Sequence, residues 1–339
     1  MLIALALGAM CLAARGQAVV RLGIIGLDTS HSIAFTKYIN DPQSQDPQVQ
    51  KYEVVAAYPY GTTVIESASS RIPKYIQEIK GLGVKITGSI AELLEAVDCV
   101  LLETNDGHLH LQQALEVFRA GKGCYIDKPL GATLGEAIAI YELAAQYGIP
   151  IFSSSALRFS SELAKIRAGE YGRVKGADCY SPHHPEKTHP DFGYYGIHGV
   201  EMLYTAMGTG CEVVSRIHGP EGDIVCGRWA DGRLGTFRAI YTAPNGYGGT
   251  VITEKKKIVS AGKYDGYQPL VREILNFFET GRPPVSREET LEIFAFMEAS
   301  NLSLERGGKY VSIQEAMARG QKEARKLLKK ASPGSPGEA

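Results

Sequence analysis

The 339-residue sequence has little of what would tie a protein to a nucleic acid or a membrane. Its 36 basic and 37 acidic residues leave a formal net charge of -1, so no electrostatic bias favours nucleic acid or an anionic membrane surface. Beyond the N-terminus, no apolar run is long enough for a membrane-spanning helix. The cysteines that follow Cys11 form no C-x-x-C pair, and their odd number argues against a complete disulfide framework. We therefore expect a small-molecule partner, no nucleic acid and no membrane span.

The start of the chain is the most apolar segment. Residues 1–18, MLIALALGAMCLAARGQA, hold an apolar run too short to span a bilayer comfortably, and they end in the small-x-small pattern Gly16-Gln17-Ala18. This pattern predicts a secretory signal peptide and a periplasmic or secreted protein. A misassigned start would instead leave the protein in the cytoplasm.

The sequence also lacks glycines where a dinucleotide fold needs them. The stretch GIIGLDTSHS, residues 23–32, begins like a G-x-G-x-x-G phosphate turn, but the frame reads Gly26, Asp28 and His31. A carboxylate at position 28 would put a negative charge close to a pyrophosphate and disfavour its binding. The strand VVAAY is followed by Pro59-Tyr60-Gly61, without the acidic residue that holds the ribose of NAD.

Other features of the same turn favour a nucleotide. The free N–H groups of a strand-to-helix turn can meet an anion, and the hydroxyls of Thr29 and Ser30 can donate to a phosphate. A protonated His31 would partly offset the charge of Asp28. Alternatively, the Asp28 carboxylate caps the following helix or accepts from a ribose. We expect dinucleotide binding to survive in an unusual pose.

Two domains are predicted from the order of strands and helices. From Val19, strand-like runs alternate with amphipathic segments, which predicts an α/β, Rossmann-type, doubly wound parallel sheet with ligands at the carboxyl ends of its strands. After about residue 150, strand candidates follow one another without intervening helices, which predicts an α+β domain on a mostly antiparallel sheet. The predicted units are a signal peptide, 1–18, a Rossmann domain, 19–150, a substrate and oligomerisation domain, 151–315, and a basic helix with a disordered tail, 316–339.

Several ordered motifs resemble the Gfo/Idh/MocA family of oxidoreductases over nearly all of the mature chain. Thr104, Asn105 and His110 look like the family's strand-end TPNxxH, with one residue of the spacing altered. The run ALEVFRAGKGCYIDKPLG matches its helix, strand and Glu-Lys-Pro, with Asp127 in place of the glutamate. LRFSSELAKIRAGEYGRVKG is similar to the opening of its second domain. The resemblance also suggests a dimer or tetramer formed through the second-domain sheet.

The resemblance implies roles for particular residues. Lys128 matches the family's active-site lysine, which orients or protonates a substrate hydroxyl or carbonyl beside the nicotinamide. The family's Asp-x-Gly-x-His frame reads Tyr194-Tyr195-Gly196-Ile197-His198 here. Tyr194 would then carry the proton, its phenol pKa lowered by the nearby ammonium, and His198 would position the substrate or share the proton. The residues expected to bind the cofactor, NAD or NADP, are Gly26, Leu27, Asp28, Thr29, Ser30, His31, Thr104, Asn105, His110 and Asp127.

The leading hypothesis is an NAD(P)-dependent oxidoreductase that acts on a hydroxyl of a sugar, a sugar acid or a cyclitol. In a variant of this hypothesis, a glycoside is oxidised transiently so that elimination and cleavage can follow. The less specific alternatives are a solvated Lys128, packing roles for Tyr194 and Tyr195, a capping or core role for His198, and a capping role for His110.

A second hypothesis is a metal-dependent or carbohydrate-binding protein on a Rossmann fold that has lost dinucleotide binding. The segment HHPEKTHPDFGYYGIHGVE concentrates potential ligands, but their spacing matches no standard zinc motif, so we assign no metal and favour a polar loop at the mouth of a sugar site. The potential ligands are His183, His184, His189, Asp191, His198 and Glu201. A third possibility is a non-catalytic partner of a related enzyme.

Overall fold

A computed structural model describes residues 19–243, 246–255 and 258–331 of the chain. Its first sheet is parallel throughout, with the strand order β3-β2-β1-β4-β5-β6. This order is that of a doubly wound dinucleotide-binding fold, so the predicted Rossmann sheet is confirmed. The strands are β1 Val20–Ile25, β2 Tyr52–Tyr58, β3 Lys85–Ile86, β4 Cys99–Leu102, β5 Gly123–Ile126 and β6 Ile151–Phe152.

Helices cover both faces of this sheet because successive side chains of each strand point to opposite faces. Along β1, Ile24 belongs to the same buried cluster as Phe35 of the first helix, whereas its neighbour Ile25 belongs to the cluster on the other face, which includes Phe118. Local capping fixes where several helices begin; at the last of them, Thr133 and Glu136 form a capping box. The helices are α1 Ser30–Ile39, α2 Glu66–Ser69, α3 Ile72–Gly81, α4 Ile90–Ala96, α5 Gly107–Arg119 and α6 Leu134–Gln146.

The second sheet has the strand order β12-β11-β7-β10-β9-β8-β13. All neighbouring strands in it are antiparallel except β7 and β10, which confirms the predicted mostly antiparallel sheet. The strands are β7 Val174–Pro182, β8 Cys211–Gly219, β9 Gly222–Trp229, β10 Leu234–Ile240, β11 Gly248–Thr253, β12 Ile258–Ala261 and β13 Val311–Ser312. The helices of this part are α7 Ser161–Arg167, α8 Ile197–Met207, α9 Gln268–Thr280, α10 Arg287–Glu305 and α11 Ile313–Ala331.

Helix α8 corrects the expectation that the strands of the second domain follow one another without helices. It lies between β7 and β8 and packs on the sheet, with nearly all of its residues buried. Its polar residues Glu201 and Thr205 are buried as well, so the helix has no solvent-exposed face that would set it apart from a buried strand in the sequence.

The two parts interlock rather than meeting at residue 150. Strand β6 begins one residue after the predicted boundary and still pairs with β5. Helix α9 packs into the core of the first sheet through residues such as Ile274, and α11 packs on α6. The predicted basic helix is present as α11, whereas the predicted signal peptide and the tail 332–339 lie outside the described residues. Within the described part of the chain, no helix is both long and apolar enough to cross a membrane.

Candidate active site

A cavity of about 270 Å³ lies where the carboxyl ends of the first sheet face the second domain. Ligands of doubly wound folds bind at this edge of the sheet. The cavity brings together predicted residues that are far apart in sequence. Its lining consists of Thr29, Ser30, His31, Arg71, Asn105, Lys128, Ser155, Ala156, Leu157, Tyr194, Tyr195, His198, Tyr247, Tyr264 and Tyr267.

The turn after β1 is built around one glycine. Gly26 has a φ of +94°, and a Cβ there would lie 2.6 Å from the backbone nitrogen of Thr104. Only glycine fits both conditions, because other residues rarely adopt this φ and a side chain would collide with the end of β4. Leu27 follows with its side chain fully buried. The turn thus keeps the first glycine of the phosphate motif for the reason that the motif uses it.

Asp28 does not point its charge at the cavity. Its carboxylate is fully buried and accepts hydrogen bonds from the backbone N–H groups of Thr62, at 3.0 Å, and Asn105, at 2.9 Å. Burial raises the pKa of Asp28, and these hydrogen bonds oppose the rise. Gly61 makes room for this arrangement, because a Cβ there would lie 2.1 Å from the Asp28 Oδ2 atom. Asp28 is therefore not free to repel a pyrophosphate; its carboxylate joins the loops that follow β1, β2 and β4.

The first turn of α1 is left available to a ligand. Thr29, not Asp28, is the N-cap of the helix: its hydroxyl accepts from the backbone N–H of His31 at 3.4 Å, which corrects the predicted capping role of Asp28. Thr29 and Ser30 line the cavity. Because the Asp28 carboxylate is engaged by Thr62 and Asn105, it does not compete for this helix N-terminus, and Thr29 and Ser30 fit a phosphate group of a dinucleotide.

His31 faces two buried carboxyl groups. Its Nδ1 atom lies 2.8 Å from Asp127 Oδ2 and 3.8 Å from Glu103 Oε2. Burial alone would raise the pKa of Asp127, but His31 outweighs it and the pKa is lowered. Burial, with Asp127 as a neighbour, raises the pKa of Glu103 well above its usual value. Glu103 was not predicted as a site residue; its position at the end of β4, beside Thr104, was the available signal.

Lys128 lies at the end of β5 and reaches the cavity. Its Nζ atom is 5.9 Å from the centre of the Tyr195 ring. Burial lowers the pKa of Lys128, against the opposing effects of Asp127 and Glu103. The structure thus places a partly desolvated amine at the predicted position.

The two adjacent tyrosines differ in their surroundings. Tyr194 is 9% exposed and packs with Ile65 and Ala68 beside α2. Burial raises the pKa of Tyr194, which differs from the expected lowering by an ammonium. Tyr195 is the tyrosine whose ring lies next to Lys128. Both line the cavity.

His198 is held by a chain of buried polar groups. Its Nδ1 atom is 2.7 Å from Ser155 Oγ, and the backbone N–H of Ser155 donates to Glu201 at 2.9 Å. Glu201 in turn pairs with the buried guanidinium of Arg158 at 3.2 Å. Burial lowers the pKa of His198 well below its usual value, and Lys128 acts in the same direction. A neutral imidazole with one nitrogen already engaged therefore lines the cavity.

The histidine-rich segment does not converge on one point. His183 pairs with Asp191 at 3.0 Å, while His189 accepts from the backbone N–H of Gly107 at 3.2 Å. Glu201 belongs to the Arg158 ion pair. Among the described residues, the group whose donor atoms could hold one ion is His31, Glu103 and Asp127, which lies outside this segment.

Two of the remaining predicted residues, His110 and Thr104, are buried next to the cavity rather than lining it. His110 is fully buried, with Nε2 2.7 Å from the Thr104 carbonyl and Nδ1 3.2 Å from the Leu130 carbonyl. Thr104 is also fully buried, whereas Asn105 reaches the cavity. Their predicted contacts with a cofactor stay predictions. Cavity residues that the sequence reasoning missed are Arg71, Ser155, Ala156, Leu157, Tyr247, Tyr264 and Tyr267.

Residues 20–154 match the Gfo/Idh/MocA family, described as an oxidoreductase family with an NAD-binding Rossmann fold. The first domain belongs to the Gfo/Idh/MocA oxidoreductase family. NAD is the cofactor of this family's Rossmann fold, and the glycine turn and the open N-terminus of α1 fit it. Comparison with curated protein sequences gives no significant match.

Solved structures of other proteins share the fold over most of this chain. A probable dehydrogenase from Thermotoga maritima is 19% identical, with a TM-score of 0.71, over 88% of this chain and 100% of that one. A putative myo-inositol dehydrogenase from Sinorhizobium meliloti 1021 is 17% identical, with a TM-score of 0.69, over 87% and 100%. A scyllo-inositol dehydrogenase from Lactobacillus casei, with bound NAD(H) and scyllo-inositol, is 16% identical, with a TM-score of 0.68, over 87% and 99%.

Proposed function

We propose that this protein is an NAD(H)-dependent oxidoreductase that acts on a hydroxyl group of a sugar, a sugar acid or a cyclitol. The observation that carries this proposal is the convergence of Lys128, His198 and a group of tyrosines on one cavity beside the open N-terminus of α1. Gly26, Thr29 and Ser30 would hold the cofactor. When bound, NAD supplies the acceptor for a hydride, and the protein moves the accompanying proton.

The proton of the substrate hydroxyl passes to Lys128 in this proposal. An amine that is partly desolvated accepts a proton more readily near neutral pH than a solvated lysine does. His198 holds the substrate by a hydrogen bond from its remaining nitrogen, because Ser155 already occupies Nδ1. Tyr195, whose ring centre lies 5.9 Å from the Lys128 Nζ atom, and Tyr194 are the candidates that relay the proton onward.

The aromatic wall supports a polyhydroxylated substrate. Tyrosine presents both an apolar ring face and a hydroxyl, so it can contact the C–H surface of a sugar ring and hydrogen-bond its hydroxyls. Structural neighbours include dehydrogenases crystallised with scyllo-inositol and myo-inositol, which are substrates of the same class. The tyrosines concerned are Tyr194, Tyr195, Tyr247, Tyr264 and Tyr267.

Arg71 favours a sugar acid within that class. Its guanidinium lines the same cavity as Lys128, and guanidinium groups bind carboxylates through paired hydrogen bonds. A neutral cyclitol would leave this cation without an anionic partner. We therefore expect aldonic or uronic acids to be oxidised with a lower KM than the matching neutral sugars.

Titration of the mature chain, residues 19–339, with NADH and NADPH tests the proposal first. Nicotinamide fluorescence and calorimetry should give a dissociation constant at or below about 100 μM for NADH, which is a binding free energy of about -5 kcal/mol or stronger, and weaker binding of NADPH. A screen of sugar acids, sugars and cyclitols then follows nicotinamide absorbance. Absence of binding at millimolar nucleotide contradicts the proposal.

The transient-oxidation variant has a distinct signature. A glycoside that is oxidised, cleaved by elimination and reduced again gives product without net change in nicotinamide absorbance. Product measured by chromatography, in the presence of catalytic amounts of NAD and with constant absorbance, supports this variant. Stoichiometric formation of NADH supports a simple dehydrogenase.

A homo-oligomer is proposed through the outer face of the second sheet. Large apolar side chains are exposed there, including Ile217 at 70%, Leu234 at 55% and Ile258 at 62%. An exposed apolar face of this kind marks a protein contact. Light scattering should give the mass of a dimer or tetramer, and Ile217→Glu should shift it towards the monomer. Export, which depends on residues 1–18, stays a prediction that cell fractionation can test.

A further inference from the structure

Three potential metal ligands meet at the ends of three neighbouring segments of the first domain. His31 comes from the first turn of α1, Glu103 follows β4, and Asp127 follows β5. One donor atom of each lies within 4.8 Å of the others. We propose that these three side chains bind one divalent metal ion, for which zinc is the best match, at the edge of the cavity beside Lys128.

Glu103 gives the independent reason for a ligand at this point. Its side chain is fully buried, and neither carboxylate oxygen has a hydrogen-bond partner among the described residues. Buried polar atoms almost always have a partner, and an orphaned pair points to an unseen ion or water. Oε2 is directed towards the group, 3.8 Å from His31 Nδ1.

The spacing of the donor atoms suits a single ion. Ligand atoms of a tetrahedral zinc at bond lengths of about 2.0–2.2 Å are about 3.4 Å apart. The His31 Nδ1 atom lies 2.8 Å from Asp127 Oδ2 and 3.8 Å from Glu103 Oε2, on either side of this value. The three donor atoms all lie within 4.8 Å of one another, so side-chain movements of about 1 Å or less would bring them into the ligand sphere of one ion.

The charges and the surroundings of the three ligands also fit. Two carboxylates and a neutral imidazole balance a divalent cation, and this donor set suits zinc and neighbouring transition metals. The Tyr125 hydroxyl donates to the other oxygen of Asp127 at 3.3 Å, as an outer partner of a metal-binding carboxylate does. The His31 ring is fixed between Phe35 and Tyr267, at centroid distances of 5.4 and 4.6 Å.

Three protein ligands leave a coordination position open. Catalytic zinc sites have this arrangement, whereas structural sites have four protein ligands. His31 lines the cavity together with Lys128, so the open position would be within reach of a substrate oxygen there. An ion at this position would hold that oxygen and stabilise negative charge on it. The binding can be measured in the absence of NAD and without the proposed oxidation.

Metal analysis of the mature chain, produced without a histidine tag, tests the proposal. The protein is incubated with excess zinc sulfate, desalted and analysed by mass spectrometry for metals. We expect about one zinc per chain for the unaltered protein and less than about 0.1 for Glu103→Gln and His31→Ala. Glu103→Gln keeps the size of the side chain, and circular dichroism confirms that each variant is folded.

His184→Ala is the matched control. His184 is an exposed histidine from the histidine-rich segment, so its removal should leave one zinc per chain bound. Cobalt substitution adds a second readout, because a protein-bound cobalt ion with few ligands absorbs visible light much more strongly than the hydrated ion. Less than about 0.1 zinc in the unaltered protein, or equal retention by Glu103→Gln, overturns the site. Since NADH titration is measured separately, failure here leaves the proposed oxidoreductase untouched.

Discussion

The close approach of Gly61 to the buried Asp28 carboxylate gives a prediction: Gly61→Ala should destabilise the unaltered protein but not a variant that lacks this carboxylate. In the unaltered protein, Gly61→Ala places a Cβ 2.1 Å from Asp28 Oδ2. Overpacking of this kind costs about 1–3 kcal/mol of unfolding free energy. Asp28→Ala removes the acceptor of two backbone N–H groups; leaving the buried N–H of Thr62 without a partner costs about 1–3 kcal/mol, and the half-buried N–H of Asn105 adds less.

The double variant separates this contact from the general cost of each change. Without the carboxylate, the Cβ added at position 61 has space, and the φ of Gly61 lies outside the region that favours glycine. Gly61→Ala should then be neutral or stabilising by about 0.4–1 kcal/mol, through the lower entropy of the unfolded chain. The cycle should show a favourable coupling of about 1–4 kcal/mol, the difference between the two effects of Gly61→Ala.

Urea denaturation followed by circular dichroism measures the four proteins of the cycle. Gly81→Ala is the control, because a Cβ there meets nothing within 4 Å and its effect should not depend on residue 28. If Gly61→Ala costs the same in both backgrounds, within about 0.5 kcal/mol, the link described for Asp28 does not exist in solution.

Three further predictions concern catalysis, substrate charge and acid stability. Lys128→Ala, and Phe in place of either Tyr194 or Tyr195, should identify the proton carriers: each true carrier should lower kcat by about 10²-fold or more in steady-state assays, and no loss in any variant contradicts the assigned roles. Arg71→Ala should raise KM for sugar acids about 10-fold or more with little change for neutral sugars, whereas equal effects on both would contradict an anionic substrate. Burial lowers the pKa of His189 to about 4; its charged or titratable neighbours are Asp106, His108, His110 and Glu136. As the pH falls from 6.5 to about 4, this histidine therefore binds a proton in the unfolded chain but not in the folded protein. The protein should lose about 3 kcal/mol of unfolding free energy over this interval, and His189→Gln should flatten this dependence in urea titrations at several pH values.

Much of the secondary structure of the first domain could be predicted, because its strands and the helices α4 to α6 each carry a periodic pattern of their own, whereas α2 and α3 were not predicted. The strands from β1 to β6 are apolar runs between amphipathic segments, as expected of a parallel sheet covered on both faces. Helix α8 was not predicted between the strands of the second domain, because nearly all of its residues are buried and it has no exposed polar face. Pairing of β7 with β10 in parallel could not be read locally, since α8, β8 and β9 lie between them.

Residues of the candidate site could be predicted where they belong to a sequence motif, but not where only tertiary packing brings them to the cavity. Lys128 and His198 were placed by motifs, and both line the cavity. The role of Asp28 was undecidable from the sequence, because its partners Thr62 and Asn105 are 34 and 77 residues away. Glu103 belongs to no motif, and only the structure shows that both of its carboxylate oxygens are buried without a hydrogen-bond partner among the described residues.

Helices α9 and α11 tie the end of the chain to its beginning. Helix α9 packs into the core of the first sheet, where the Tyr52 hydroxyl donates to the Leu275 carbonyl at 3.0 Å. Helix α11 lies on α6, with Gly320 against Leu134. A fragment cut at residue 150 would expose both apolar faces and should aggregate rather than fold. We therefore expect that the first domain completes its core during synthesis only after α9 and α11 have been made.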